Sequence, residues 1–435
     1  MRSGKVSGCF DPGLIGYNAR CHKHGRAARK AGRRPIGVDE TMASTPSVAI
    51  IIATMNRRDV VLFTLARLHE PNRIPGDYEI AVCVNPSSDN TVKAIRERFP
   101  DVRVISLERN LGSCAKAIGV AETRSEYVVF LDDDSHPWPD AIARMFEKFR
   151  ADKRLGAAAF TVHLPDGRQE CSALPGVFVG CGVGFRRAAL DAVGGLDGSF
   201  FMQAEEYDLS FRLAAGGWKV KTFTDLGVDH LKTPTARLSG RTVRYDTRNN
   251  RIVIARYLPD EYEEVYRQDW MQRYRWIGEA NGHLRDYWRG RLAGAFRATR
   301  DRRTYARWRL SSTAFESLFR VKHIASQMQR LADSGVRRII LADLGKNIYP
   351  FVYGAQSAGL EVLCIADDRF ARPGRRYRGI PVVETAESLM MKGDAIVVSN
   401  ASAVHAESRH RALEKATDLP IHRWFGYDKP LPEGV

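Results

Sequence analysis

Leu131-Asp132-Asp133-Asp134 is the spacing in this sequence with the most evident chemistry. Three adjacent carboxylates repel one another unless water or a cation neutralises them. Mg²⁺ and Mn²⁺ take oxygen ligands of this kind and keep substrate phosphates in their shell. Alternate side chains of an extended segment share a face, so Asp132 and Asp134 are expected to point to one place. The competing reading is a solvated turn that caps the following helix. Three further polar clusters give the triplet its context: Thr54-Met-Asn56-Arg57-Arg58, Asn85-Pro-Ser-Ser-Asp89-Asn-Thr91, and Glu108-Arg109-Asn110-Leu-Gly112. Each alone is ordinary turn and cap chemistry. Gathered at one edge with the aspartates, they favour a nucleotide pocket.

The elements between them predict such a gathering. The apolar run 47–53 has strand length, and residues 57–70 follow with helical spacing. Tyr78–Val84, Val102–Leu107 and Tyr127–Leu131 read as further strands, separated by helices over 89–99 and about 111–123. Alternating strands and helices predict an α/β fold with a mainly parallel sheet, covered on both faces. Ligands bind such sheets outside the carboxyl ends of the strands, where all four clusters stand. Residues 157–230 look irregular, with helices near 187–193 and 205–215 and a strand at Lys219–Phe223.

The combination "SVAIIIATMNR", "VNPSSDNT", "RNLGSCAKAIG", "VVFLDDD" and "GGLDGSFFMQAEEYDLSFRLAAGGW" resembles family 2 glycosyltransferases of the GT-A fold, rhamnosyltransferase-like members included, over about 47–258. The resemblance implies that Thr54 and Asn56 line a nucleoside site, with Arg57, Asn85, Asp89 and Asn110 along the donor edge. It implies that Asp132 and Asp134 hold the divalent cation against the donor diphosphate, with Asp133 alongside. The family's acidic motif corresponds to Glu205-Glu206, with Asp208 two residues on. Glu206 occupies the base position, and Glu205 is its alternative. An inverting transfer needs one carboxylate to deprotonate the acceptor hydroxyl. These acids also suit a helix N-terminus, which is compatible with catalysis. His230 matches a family histidine near metal and diphosphate. Arg248-Asn249 matches a family pair that opens the closing helix, where Arg248 would reach a phosphate or serve as a cap. Val84 stands where the family commonly has an aspartate on the nucleobase. Asn85 or Asp89 is the candidate replacement, and the donor is expected to be a UDP- or dTDP-sugar.

The remaining chain divides by composition. Residues 1–46 hold nine Lys/Arg against three Asp/Glu and no hydrophobic period, so a disordered basic tail is expected, with Met42 an alternative start. Residues 47–258 form the glycosyltransferase domain and 259–330 a helical connector. Within 267–309, twelve Arg stand against four Asp/Glu with aromatics interleaved, which suits either packed helices or a membrane surface. Residues 331–435 predict a smaller Rossmann-like α/β domain. Its first turn, Asp343 to Pro350, keeps only Gly345 of a GxGxxG pattern, so a docking role is expected over a nicotinamide site.

The formal charge of +16 points to an anionic partner. No zinc-finger, helix-turn-helix or stacking motif supports nucleic acid, so none is expected. Seven cysteines, without a CxxC pair, argue against a disulfide framework; Cys9, Cys21, His22 and His24 are expected to be a chance cluster. No apolar run of spanning length and no signal-peptide pattern is seen, which predicts a cytoplasmic enzyme, peripheral at most to the inner membrane face. The whole predicts an inverting, Mg²⁺- or Mn²⁺-dependent transferase that moves a hexose from a nucleotide-diphosphate sugar to a hydroxyl of a glycan or lipid-linked acceptor in cell-envelope synthesis. A non-catalytic scaffold of the same fold is the alternative.

Overall fold

The computed structural model describes residues 48–71, 73–232 and 239–426. The basic N-terminal stretch, Met42 and the Cys9–His24 cluster lie outside the described residues. Strands β1 (Val48–Thr54), β2 (Tyr78–Val84), β3 (Arg103–Ser106) and β4 (Tyr127–Asp132) follow the predicted runs. They pair in parallel in the order β3-β2-β1-β4. Helices α1 (Arg58–Leu68), α2 (Thr91–Arg98) and α3 (Lys116–Ala121) make the crossovers. Both faces of β1 are covered. Val48, Ile50 and Ile52 enter one core with Val61 and Leu65, while Ala49 and Ile51 enter another with Val128 and Phe130. That is why the run is apolar at every position rather than alternating. The helix expected over 111–123 begins instead as a tight turn at Gly112–Ala115. Gly112 has φ +61°, and a Cβ there would stand 2.2 Å from the Phe201 carbonyl oxygen.

The stretch 157–230 is regular, contrary to expectation. After β5 (Ser135–Pro137) and α4 (Ala141–Ala151) come β6 (Leu155–His163), β7 (Gln169–Glu170) and β8 (Gly182–Arg186). Helices α5 (Arg187–Val193) and α6 (Glu205–Ala215) precede β9 (Lys219–His230), which runs seven residues past the predicted Phe223. The sheet continues β4-β8-β6-β9-β5, with β8 antiparallel to both neighbours. Ala and Gly build β6 and β8, so strand propensity there is weak. Packing demands them: a Cβ on Gly184 would stand 2.0 Å from the Met145 sulfur on α4.

Five helices follow: α7 (Gly240–Tyr257), α8 (Asp260–Ala280), α9 (Leu284–Thr304), α10 (Ser312–Phe319) and α11 (Val321–Asp333). The second sheet comprises β10 (Arg338–Ala342), β11 (Glu361–Ala366), β12 (Arg376–Tyr377), β13 (Ile380–Val383), β14 (Ala395–Val398) and β15 (Ile421–His422). Its order is β12-β13-β11-β10-β14-β15, parallel except for β12, with α12 (Tyr349–Ser357) after β10. The β10–α12 turn is packed against α8. Trp270 Nε1 donates to the Lys346 carbonyl at 3.0 Å and Arg273 to that of Leu344 at 2.5 Å. The cavity left between turn and helix is about 10 Å³, no more than one water's worth. The Lys346 side chain reaches past α8, donating to Asn250 Oδ1 at 2.7 Å from over the rings of Tyr207 (3.6 Å) and Trp270 (4.2 Å).

One ion cluster joins α6, α7 and α9. The fully buried Arg256 meets Asp197 at 2.9 Å, Asp208 at 2.8 Å and Asp301 at 2.5 Å. Removing one partner of a buried ion cluster leaves uncompensated charge in a dry interior. Arg256→Met is therefore expected to destabilise the fold by about 3–5 kcal/mol. Urea unfolding measures this, and an unchanged midpoint would mean the cluster holds nothing together.

Candidate active site

The carboxyl ends of β1, β2 and β4 carry the predicted polar clusters to one edge. β4 ends at Asp132, and Asp133 and Asp134 belong to a turn. The strand alternation expected to align Asp132 with Asp134 is therefore broken, and the three carboxylates diverge. Asp132 accepts from the buried Lys116 Nζ at 2.7 Å, and this lysine also donates to the Gly180 carbonyl at 3.0 Å. Asp133 accepts from the Thr54 hydroxyl at 2.6 Å and meets Arg57 Nε at 3.1 Å. Asp134 pairs with Arg57 at 2.6 Å and with His230 Nε2 at 3.2 Å.

His230, the last residue of β9, draws the divergent groups back together. Asp132, Cys181 and His230 each bring a potential ligand atom within 4.8 Å of the others. Burial alone would lower the His230 pKa, yet hydrogen bonds with Asp134, Cys181 and Glu170 hold it up to about 12. That rise records a strongly negative local potential. Burial pushes Asp133 up to about 6 against the Thr54 hydrogen bond and the Arg57 charge. At Asp134 burial also works upward, but His230 and Arg57 outweigh it and its carboxyl is lowered. Asp132 and His230 stand in that group with Cys181, and Asp134 joins it through His230; two carboxylates and an imidazole at a site of negative potential fit a divalent cation.

The acid pair opens α6. The loop before it holds Phe201, Gln203 and Ala204 at φ +67°, +68° and +62°. Such left-handed residues need external support. Asn249 supplies it, donating to the carbonyls of Phe200, Met202 and Gln203 at 3.0, 2.8 and 2.7 Å. Arg248 donates to the Ser199 carbonyl at 3.1 Å. The Arg248-Asn249 pair thus lies mid-way along α7 rather than opening it, and it grips this loop.

Glu205 accepts from the Ser113 hydroxyl, while its Oε2 is buried without a hydrogen-bond partner. Burial raises its pKa. Glu206 is half-buried and makes no side-chain hydrogen bond among the described residues. Its Oε1 stands beside Gly180, where a Cβ would be 3.4 Å away. Burial and the neighbouring Glu205 charge push Glu206 up to about 8. Asp208 requires a correction. Two positions beyond Glu206 is about 200° around the helix, and Asp208 is 1% exposed, spent on Arg212, Arg256 and Tyr257. It is a structural acid of the Arg256 cluster.

The donor-edge candidates are tied largely to one another. Asn56, at φ +51°, accepts from the Ser88 amide at 2.7 Å. Asn85 is buried, donating to the Gly112 carbonyl at 3.2 Å and accepting from the Leu111 amide at 2.7 Å. Asp89 accepts from the Arg58 amide at 2.9 Å and from Thr91. Asn110 accepts from the Gly112 amide at 2.8 Å. Asn85 is a strut between strand ends, and Asp89 caps two helices. Val84 itself is buried. Thr54, Arg57 and Asp133 form a continuous polar chain that leads to Asp134.

Two family profiles match this chain: "Glycosyl transferase family 2" over 49–193 and "Glycosyl transferase family group 2" over 127–342. Between them they span 49–342, which takes in the ends of β1 to β9 and α6. The chain belongs to the family 2 glycosyltransferases. The α/β architecture, with a largely parallel sheet and a second sheet, is the fold class predicted from the sequence. The glycosyltransferase is 30% identical over 102 residues to a chondroitin synthase of Pasteurella multocida (strain Pm70) and to a hyaluronan synthase of Pasteurella multocida. The match takes in 22% of this chain and 10% of each relative, so it spans about a tenth of their length. Similar solved structures include the mannosyltransferase PcManGT from Pyrobaculum calidifontis in complex with GDP-Man and Mn2+, at 19% identity and TM-score 0.41, covering 61% of this chain and 83% of that one. S. aureus TarS is another, at 14% identity and TM-score 0.39, covering 53% and 43%.

Lys116, Ser113 and Cys181 contact the candidate site of this glycosyltransferase and were not singled out from sequence, whereas Asn249 was, in another role. Ser113 and Lys116 lie in "RNLGSCAKAIG", three residues apart in the tight turn and at the first residue of α3, so the motif held the signal. Cys181 carried none. Asn249→Ala is expected to free the three carbonyls it satisfies. The turnover number should fall about tenfold or more, because the acid pair loses its fixed position. Stability should fall by about 1–3 kcal/mol. Steady-state kinetics beside thermal unfolding checks this, and wild-type turnover in a destabilised variant would reject the positioning role.

Proposed function

We propose that this glycosyltransferase moves a hexose, with inversion, from a UDP- or dTDP-sugar to a hydroxyl of a glycan or lipid-linked acceptor in cell-envelope synthesis, on the cytoplasmic side of the membrane. The observation that carries the reading is Glu206. It is a half-buried carboxylate without a side-chain hydrogen bond among the described residues, raised to about 8, beside Gly180 and near the Lys116–Asp132 pair.

Glu206 would take the proton of the acceptor hydroxyl at a carboxylate oxygen as that hydroxyl attacks the anomeric carbon. Glu205, held by Ser113, keeps negative charge beside it and so keeps it basic. Asp132, Asp134 and His230 would hold Mg²⁺ or Mn²⁺, which neutralises charge on the departing diphosphate when bound. Thr54, Asn56, Arg57 and Asp133 would orient the nucleoside and diphosphate, and Lys116 would fix the Asp132 carboxylate. The second sheet would act as a docking module. The filled turn between β10 and α8 supports that role over cofactor binding.

The test is nucleotide release from a panel of UDP-, dTDP- and GDP-sugars with Mn²⁺, Mg²⁺ or EDTA. One donor should be hydrolysed slowly with metal and not with EDTA. Glu206→Gln should slow transfer by about 10²–10⁴-fold while donor binding persists. Donor binding with wild-type transfer in that variant would remove Glu206 as base. Absence of release and of metal-dependent donor binding would favour the scaffold.

The pH dependence has a definite sign. The base works deprotonated, and its pKa is raised, so kcat/KM should climb with pH through about 8. Glu205→Gln removes the adjacent negative charge, so the limb should move to lower pH, by about one unit. A limb that stays in place, or moves upward, would contradict the coupling.

A further inference from the structure

Helix α9 has two faces of opposite character. Its inner face, Tyr287, Gly290, Gly294, Ala298 and Asp301, is buried. It lies against α7 so closely that a Cβ on Gly290 would stand 2.4 Å from the Arg244 carbonyl oxygen. The outer face carries Leu284, Trp288, Leu292 and Phe296, which are 39%, 47%, 70% and 82% exposed. Steps of four residues advance about 40° around a helix, so the four form one continuous stripe. Scattered exposed apolar residues are normal on protein surfaces, but a contiguous row of large ones marks a contact surface.

Charge identifies the partner. α9 contains seven Arg and two Asp. Asp301 is buried in the Arg256 cluster, and Asp286 is only partly exposed. Arg285, Arg289, Arg300 and Arg303 are all exposed, and helical spacing puts them on the same side as the stripe. The outward surface is therefore apolar along its axis and cationic beside it. An anionic bilayer complements both features: acyl chains receive Leu, Trp and Phe, while headgroups receive guanidinium groups whose stems lie along the apolar surface.

We infer that the outer face of α9 is an interfacial docking surface for an anionic lipid bilayer. No helix among the described residues is long and apolar enough to cross a membrane, so α9 lies on the surface rather than through it. The same helix reaches the catalytic side, since Arg297 donates to Ser199 Oγ at 3.1 Å on the loop leading to Glu205 and Glu206. The lipid-linked acceptor proposed above rests on the reading of the active site, whereas the docking stands without it.

The experiment is co-sedimentation of the full chain with vesicles of phosphatidylcholine plus phosphatidylglycerol and of phosphatidylcholine alone, each at low and high salt. Binding is expected to the anionic vesicles, weakened by salt. The double variant L292E/F296E should bind about tenfold or more weakly, and R289E/R300E should lose the preference for the anionic lipid. Met390→Glu alters an equally exposed apolar side chain elsewhere and should bind as wild type. Donor hydrolysis without vesicles should be unchanged in all three variants, which separates failure of docking from failure of the active site. Three results would each overturn the inference: no vesicle binding, equal loss in Met390→Glu, or concentration-dependent self-association abolished by L292E/F296E without vesicle binding.

Discussion

Arg256 is the residue on which the arrangement of the acid pair depends. α6 begins with two glutamates that must stand at a sheet edge, but no strand carries them there. The helix is held from behind, through Asp208 on its buried side, by a guanidinium that also grips Asp197 in the preceding loop and Asp301 on α9. A guanidinium presents a rigid fork of donors, so one side chain can fix the angles of several elements at once. Three carboxylates around one arginine would be a poor source of net stability. Their value here is geometric: α6, α7 and α9 acquire one mutual register.

A second constraint acts on the front of the site. The aspartate triplet cannot be held by strand geometry, because β4 ends at its first residue. Each carboxylate instead has a counter-charge or donor from a different element: Lys116 from α3, Arg57 from the end of β1, and His230 from β9. Lys116 retains its proton despite burial because Asp132 stands beside it. Negative potential thereby accumulates between β4 and β9 without the carboxylates collapsing on one another. The second sheet adds Lys346 against Tyr207, the residue that follows Glu206, so the far end of the chain also packs on α6. Burial pushes that lysine down to about 7.

Much of the architecture was legible. Strands buried on both faces announce themselves as unbroken apolar runs, and β1, β2 and β4 fell where the runs did. The β-α-β rhythm of the second sheet was equally plain. β6 and β8 escaped because their residues were selected for closeness rather than for strand preference; Gly184 sits where Met145 leaves no space. β9 continues past Phe223 through an irregularity in its pairing with β6, where the register passes from Phe160–Phe223 to Thr161–Gly227, a break that a local apolar pattern does not bridge. Arg248-Asn249, placed by the resemblance at the start of a helix, lies inside α7, and its loop partners some fifty residues away in the chain could not be read locally.

By itself the sequence determined the α/β class, the order of the motifs, and which residue types could meet a sugar nucleotide and a cation. These follow from local periodicity and from chemistry carried within short motifs. Only the tertiary structure decided how those residues divide their work. Asp208 and Glu206 are two positions apart in one acidic cluster, yet one is locked to Arg256 and the other is half-buried without a hydrogen-bond partner among the described residues. The difference lies in partners more than forty residues distant, which no local pattern encodes. The same holds for α9, whose arginines and aromatics looked uniform along the chain. Close packing of Gly290 and Gly294 on α7 chose which side was left to face outward.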